Sequence, residues 1–123
     1  RRQRQMCIRD STVVLDFDGV IHSYSSGWRG KTCIPDPPVP GIREEIYKMR
    51  QIYRVVVVST RCDTQDGMDA VKAYLKQNGI EVDAVMKEKP PAVAYVDDRA
   101  ICFDGQADGL LQKIVDFKPW TDK

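Results

Sequence analysis

The chain has one histidine, His22, and no two cysteines spaced C-x-x-C. Its four cysteines (Cys7, Cys33, Cys62 and Cys102) therefore lack the partners of an ordinary zinc site. Widely spaced cysteines in a chain with its own core point to reduced thiols, and a cytoplasmic location is the expectation. Net charge is nearly absent, +1 from 19 basic and 18 acidic residues. That excludes a protein built mainly to coat nucleic acid or an anionic membrane, and leaves room only for a local basic groove. No apolar run approaches membrane-spanning length, and no signal-peptide pattern opens the sequence. Neither G-x-G-x-x-G nor G-x-x-x-x-G-K-[ST] occurs, which argues against a dinucleotide fold and a P-loop kinase. There is no internal repeat and no low-complexity linker.

What is present is enough for one domain. At 123 residues, 42% of them hydrophobic, the chain can bury a core without staples. The basic start "RRQRQMCIRD" (1–10) reads as a tail, with an arm that touches phosphates as the alternative, and residues 11–123 read as a single catalytic domain. Three short apolar runs, "TVVLDF" (12–17), "RVVVVST" (54–60) and "AVAYVDD" (92–98), have the near-continuous pattern of parallel strands covered on both faces. Helical periods lie between and after them. Residues 40–52 place Ile42, Ile46 and Met49 on one face. Residues 65–79 do the same with Met68, Val71 and Leu75, closing at Gly79. Residues 107–117 align Leu110, Leu111, Ile114 and Phe117. "IEVDAVM" (80–86) reads as a further strand and "ICFDG" (101–105) as a short edge strand. Alternating strands and helices predict an α/β domain with a mostly parallel sheet, three-layered and Rossmann-like. Residues 19–39 have no period and read as a long flap loop.

In such sheets ligands bind beyond the carboxyl ends of the strands. The first run ends in Asp16 and Asp18, the second in Ser59 and Thr60, the third in Asp97 and Asp98. Two acids one residue apart share a face of a strand, and Gly19 permits a sharp turn after them. Several carboxylates with water form a hard-oxygen site suited to Mg²⁺. Ser59 offers a hydroxyl to a phosphoryl oxygen, with Thr60 as its rival, and Lys87 or Lys89 brings a positive charge. Acids, a metal, a hydroxyl and an ammonium together describe phosphoryl transfer. Arg61 follows Ser59 and is a candidate phosphate contact. In the flap, Trp28 and Arg29 are candidates to stack on and pair with a substrate, against packing of the flap itself. His22 is a candidate to face the site, against a role as loop anchor. Trp120 is expected to pack on the core.

"DFDGV", then an apolar run ending in "STR", then "KP" ahead of "YVDD", resembles the haloacid dehalogenase superfamily of phosphatases, in motifs that run in the family's order over residues 12–105. The order separates the chain from receiver domains, in which the lysine comes last. The resemblance implies strand order 5-4-1-2-3 and a Mg²⁺-dependent phosphomonoester hydrolase working through an aspartyl-phosphate. It implies Asp16 as nucleophile and Asp18 as acid/base. It further implies Ser59 and Lys89 as phosphate-steadying groups, and Asp16, Asp18 (through its backbone carbonyl), Asp97 and Asp98 as the metal set, with Asp98 direct or through water. The chain departs from the pattern twice. Lys89 lies too close to Asp97 for an intervening helix, which keeps Lys87 in play, and no insertion is long enough for a cap domain. An open site of this kind fits a phosphorylated small molecule or a macromolecular phosphomonoester. Alternatives are nucleic-acid end processing, which charge does not indicate, a phosphotransferase, and a binding module without turnover. No membrane partner is expected, and the flap, 21–35, is expected to set specificity.

Overall fold

A computed structural model describes residues 11–121; the basic tail and Cys7 lie outside the described residues. The elements in chain order are β1 (Thr12–Asp16), α1 (Ile42–Met49), β2 (Arg54–Val58), a 3₁₀ turn (Thr60–Asp63), α2 (Gln65–Gln77), β3 (Ala84–Met86), β4 (Ala94–Val96) and α3 (Leu110–Asp116). The strands form one parallel sheet in the order β3-β2-β1-β4. β1 and β2 run in register from Thr12↔Arg54 to Asp16↔Val58, so both deliver their ends to the same rim.

The valine-rich runs explain the centre of the sheet. Val13, Leu15, Val55 and Val57 face one side, where Ile46 of α1 and Val71, Tyr74 and Leu75 of α2 complete the main core. Each fully buried aliphatic side chain there is worth about 1.5–3 kcal/mol against exposure. Val14, Val56 and Val58 face the other side and meet a smaller set, Ala84, Met86 and Ala92. α1 and α2 bury the faces their periods predict. Thr64 caps α2 by accepting from the Gly67 N–H at 3.2 Å, and the chain leaves α2 through Gly79 at φ 68°.

The third sequence run differs from its expectation. β4 is a sheet edge, and all of its residues are exposed. The expected fifth strand is not formed. Instead Asp104 accepts from the Gln106 N–H at 2.9 Å and Gly105 sits at φ 88°, which makes a turn of 104–106. α3 forms but buries none of its residues. The strand expected over 80–86 begins only at Ala84. The Asp83 N–H donates to the Val55 carbonyl at 2.9 Å, but the return bond from the Val55 N–H goes to the Asp83 carboxylate at 2.8 Å, which also takes a two-point contact from Arg50 (3.4 and 3.0 Å). No helix intervenes between β3 and β4, in keeping with the short spacing from Lys89 to Asp97. Among the described residues no helix is long and apolar enough to cross a membrane.

Candidate functional site at the carboxyl rim of the sheet

Asp16 closes β1, and Asp97 and Asp98 follow β4, its hydrogen-bonded neighbour. One carboxylate oxygen of each lies within 4.8 Å of the others. Burial pushes the Asp16 carboxyl up to about 7, helped by the charges of Asp97 and Asp98 and opposed by the Phe17 N–H. Asp98 is raised as well, by burial and by Asp97. Asp97 is among the causes that raise both Asp16 and Asp98, so the three carboxylates crowd like charge at one point. All the donors are hard oxygens, which fits a cation of the Mg²⁺ type. The turn that follows is built for close approach: Gly19 has φ 86°, and a Cβ there would run into Asp98 Oδ2.

Lys89 brings a positive charge to this cluster, with Nζ 3.6 Å from Asp97 Oδ2 and 5.7 Å from the Tyr95 ring. The Tyr95 hydroxyl donates to the Pro90 carbonyl at 2.8 Å, which ties the Lys89–Pro90 segment to β4. The Asp97 carboxylate also accepts from the Arg99 N–H at 2.9 Å. Ser59 is buried and caps the 3₁₀ turn, its Oγ accepting from the Arg61 N–H at 3.1 Å. Thr60, the competing hydroxyl, is exposed.

Asp18 has a different environment from Asp16. The Arg61 guanidinium forks onto it, Nε to Oδ2 at 2.9 Å and Nη2 to Oδ1 at 3.1 Å. His22 Nδ1 meets Oδ1 at 2.8 Å. The Asp36 N–H points at His22 Nε2 (3.2 Å), so Nε2 accepts and Nδ1 is the nitrogen that donates to Asp18. Burial pushes the Asp18 carboxyl up, but the hydrogen bonds from His22 and Arg61 outweigh it and hold the group below the usual carboxylate range. Arg61 is fully buried, and its Nη1 donates to the flap carbonyls of Gly30 (2.8 Å), Lys31 (3.0 Å) and Cys33 (3.2 Å). Beyond His22, Asp36 accepts from the Ser26 N–H and hydroxyl, and its carbonyl accepts from Tyr74 of α2 at 2.8 Å. Gly67 makes room for this arrangement: a Cβ there would strike the Arg61 carbonyl.

His22 and Arg61, both candidate substrate contacts from sequence, are thus internal braces of Asp18 and the flap, with no surface left for a ligand. Trp28 lies over the Arg61 guanidinium at 4.7 Å, and Arg29 is exposed with Nε 3.4 Å from the Ser26 carbonyl. Trp120 is not a core residue. It is 47% exposed, and its indole N–H donates to the Gly19 carbonyl at 2.7 Å. Sequence reasoning missed Asp36, the inner end of this network, because a lone acid in a proline-rich loop carries no signal of burial. Cys62 is buried, which pushes its thiol up, and Cys33 and Cys102 are free and exposed.

The fold and site define a class, a parallel α/β domain with a carboxylate cluster at the carboxyl rim. No protein-family model, curated protein or solved structure matches the chain.

Proposed function

We propose that the protein is a Mg²⁺-dependent phosphomonoester hydrolase of the haloacid dehalogenase type, acting through an aspartyl-phosphate on Asp16. The observation that carries this reading is the meeting of Asp16, Asp97 and Asp98 beside Lys89, at the rim where Ser59 follows β2. Asp16, Asp97 and Asp98 are the residues that would hold the metal. The bound ion would supply charge neutralisation to the carboxylates and to the phosphoryl oxygens. The Asp16 carboxylate attacks phosphorus, forming an O–P bond as the P–O bond to the leaving group breaks, and the leaving oxygen takes a proton from solvent water to depart as the alcohol. Water then attacks the acyl phosphate, returning free Asp16 and inorganic phosphate. The Lys89 ammonium and the Ser59 hydroxyl hydrogen would steady the phosphoryl oxygens during both steps. Among the described residues no cap domain is present, which leaves room for phosphorylated small molecules and macromolecular ends alike.

The acid/base role that the resemblance gives Asp18 has the least support. A carboxylate held below its usual range by an arginine fork and a histidine is a poor proton donor. That observation favours, as a second reading, a phospholigand-binding module or a phosphoenzyme that turns over slowly. The test is phosphate release from a panel of phosphomonoesters, with Mg²⁺, with chelator and with Asp16→Asn. Metal-dependent release that falls at least ~10³-fold in Asp16→Asn supports the hydrolase. Phosphate binding without release from any substrate gives the site to the second reading.

A further inference from the structure

The chain has two tryptophans, and both have about half their surface in water. Neither is a core residue, although large aromatic side chains are more often highly buried. Each is held in place by a polar anchor that belongs to the site. Trp28, 52% exposed, lies on the guanidinium of Arg61, whose fork holds Asp18. Trp120 hangs by its indole N–H from the carbonyl of Gly19, the residue pressed against Asp98. One ring is thus linked through Arg61 to Asp18, two residues after Asp16, and the other to Gly19, whose Cβ position abuts Asp98. Arg61 contributes to this only from below. It is fully buried and all three of its nitrogens are hydrogen-bonded, so it serves as a rigid, cationic backing for the indole. An indole fixed this way loses little rotamer freedom when a second flat ring lands on it, and the lost freedom is the usual cost of ordering an exposed side chain.

We propose that Trp28 is a stacking platform for a nucleobase, with Trp120 as a second aromatic wall. The substrates of the site are then phosphomonoesters that carry a base beside the phosphate, either free nucleotides or the phosphorylated ends of strands. Stacking suits a chain with almost no net charge, because it recognises a base by its flat face without an extended basic surface. The inference takes from the proposed function only the position of the phosphate, at the acidic cluster.

The test is equilibrium binding to the full-length Asp16→Asn chain in Mg²⁺, with adenosine 5′-monophosphate, ribose 5-phosphate and a short 5′-phosphorylated oligothymidylate as probes. Adenosine 5′-monophosphate is expected to bind roughly ten- to a hundredfold more tightly than ribose 5-phosphate, the range a single base–aromatic stack supplies. Trp28→Ala removes that ratio, and Trp28→Phe keeps most of it. Rescue by Phe separates stacking from a structural role of the indole. Tighter binding of the oligonucleotide, weakening steeply with salt, assigns the platform to strand ends; equal binding of the two base-bearing probes assigns it to free nucleotides. Equal affinity for the two small phosphates, an unchanged ratio in Trp28→Ala, or no binding of adenosine 5′-monophosphate overturns the proposal. Phosphate release from ribose 5-phosphate by the unmutated chain leaves the hydrolase standing if stacking fails. Base-dependent binding without release leaves stacking standing if the hydrolase fails.

Discussion

The acidic cluster and the Asp18 clamp lie side by side at the end of β1, built from aspartates two residues apart, and they set the same side chain to opposite ends. Asp16 faces Asp97 and Asp98 and is pushed up to about 7. Asp18 faces Arg61 and His22 and is held low. Burial raises both. The difference lies wholly in the neighbours, one group among like charges and the other among donors. The cluster sets the half-exposed Lys89, 3.6 Å from Asp97, against its acids; the clamp holds a buried arginine fork and a histidine. One region is arranged to bind, the other to hold the binding region and the flap still.

The largest effect is expected where the clamp is broken. Arg61→Met leaves Asp18 and the carbonyls of Gly30, Lys31 and Cys33 without their donor, a loss of about 3–5 kcal/mol for one member of a buried pair. Arg61→Lys should not restore it, because an ammonium lacks the fork. Thermal melts of the two variants check both statements; a Lys variant as stable as the parent would mean that charge alone matters.

The next effect contrasts the two aspartates directly. Asp16 has its folded value raised, so its contribution to stability is complete below pH ~4, falls between ~4 and ~7, and is absent above ~7. Asp18 has its folded value lowered, so its contribution is present above pH ~4 and is lost as pH falls through that lowered value. In chelator at pH 8, Asp16→Asn should therefore stabilise the fold, by about 1–2 kcal/mol once solvent screening is allowed for, and Asp18→Asn should destabilise it. The advantage of Asp16→Asn should shrink toward pH 4, and with Mg²⁺ added at pH 8. Melting curves of both variants from pH 4 to 8 would sink the contrast if they shifted in the same direction.

The smallest effect on stability belongs to Lys89, whose pair with Asp97 is half exposed. Lys89→Met should change stability by less than about 1 kcal/mol. Phosphate release should nevertheless fall roughly 10²-fold, while Lys87→Met leaves it near the parent rate. Equal loss in the two variants would remove the distinction between the lysines.

The half of the chain that was readable from sequence is the half in which local pattern and burial agree. The runs at 12–17 and 54–60 and the periods of α1 and α2 all point inward, and their residues are in the core. Past β3 the apolar residues remain but the packing does not follow. Tyr95, Val96, Leu111 and Ile114 match strand and helix patterns, yet they lie in the open. A pattern records which face is apolar, not whether anything covers it. The acid cluster was legible because strand ends in a parallel sheet share a rim. The clamp was not, because the partners of Asp18 come from a loop four residues on and a turn after another strand. A buried arginine beside a capping serine looks in sequence like an exposed one.

The contact of Trp120 with Gly19 joins residues far apart along the chain, where Asp18 and Arg61 are closer. Asp18, Arg61 and the flap all precede Asp97, Asp98 and Trp120 in the chain. A chain cut after α2 would therefore keep both partners of the Asp18 clamp and lose two of the acids that raise Asp16 together with the indole that holds the Gly19 turn.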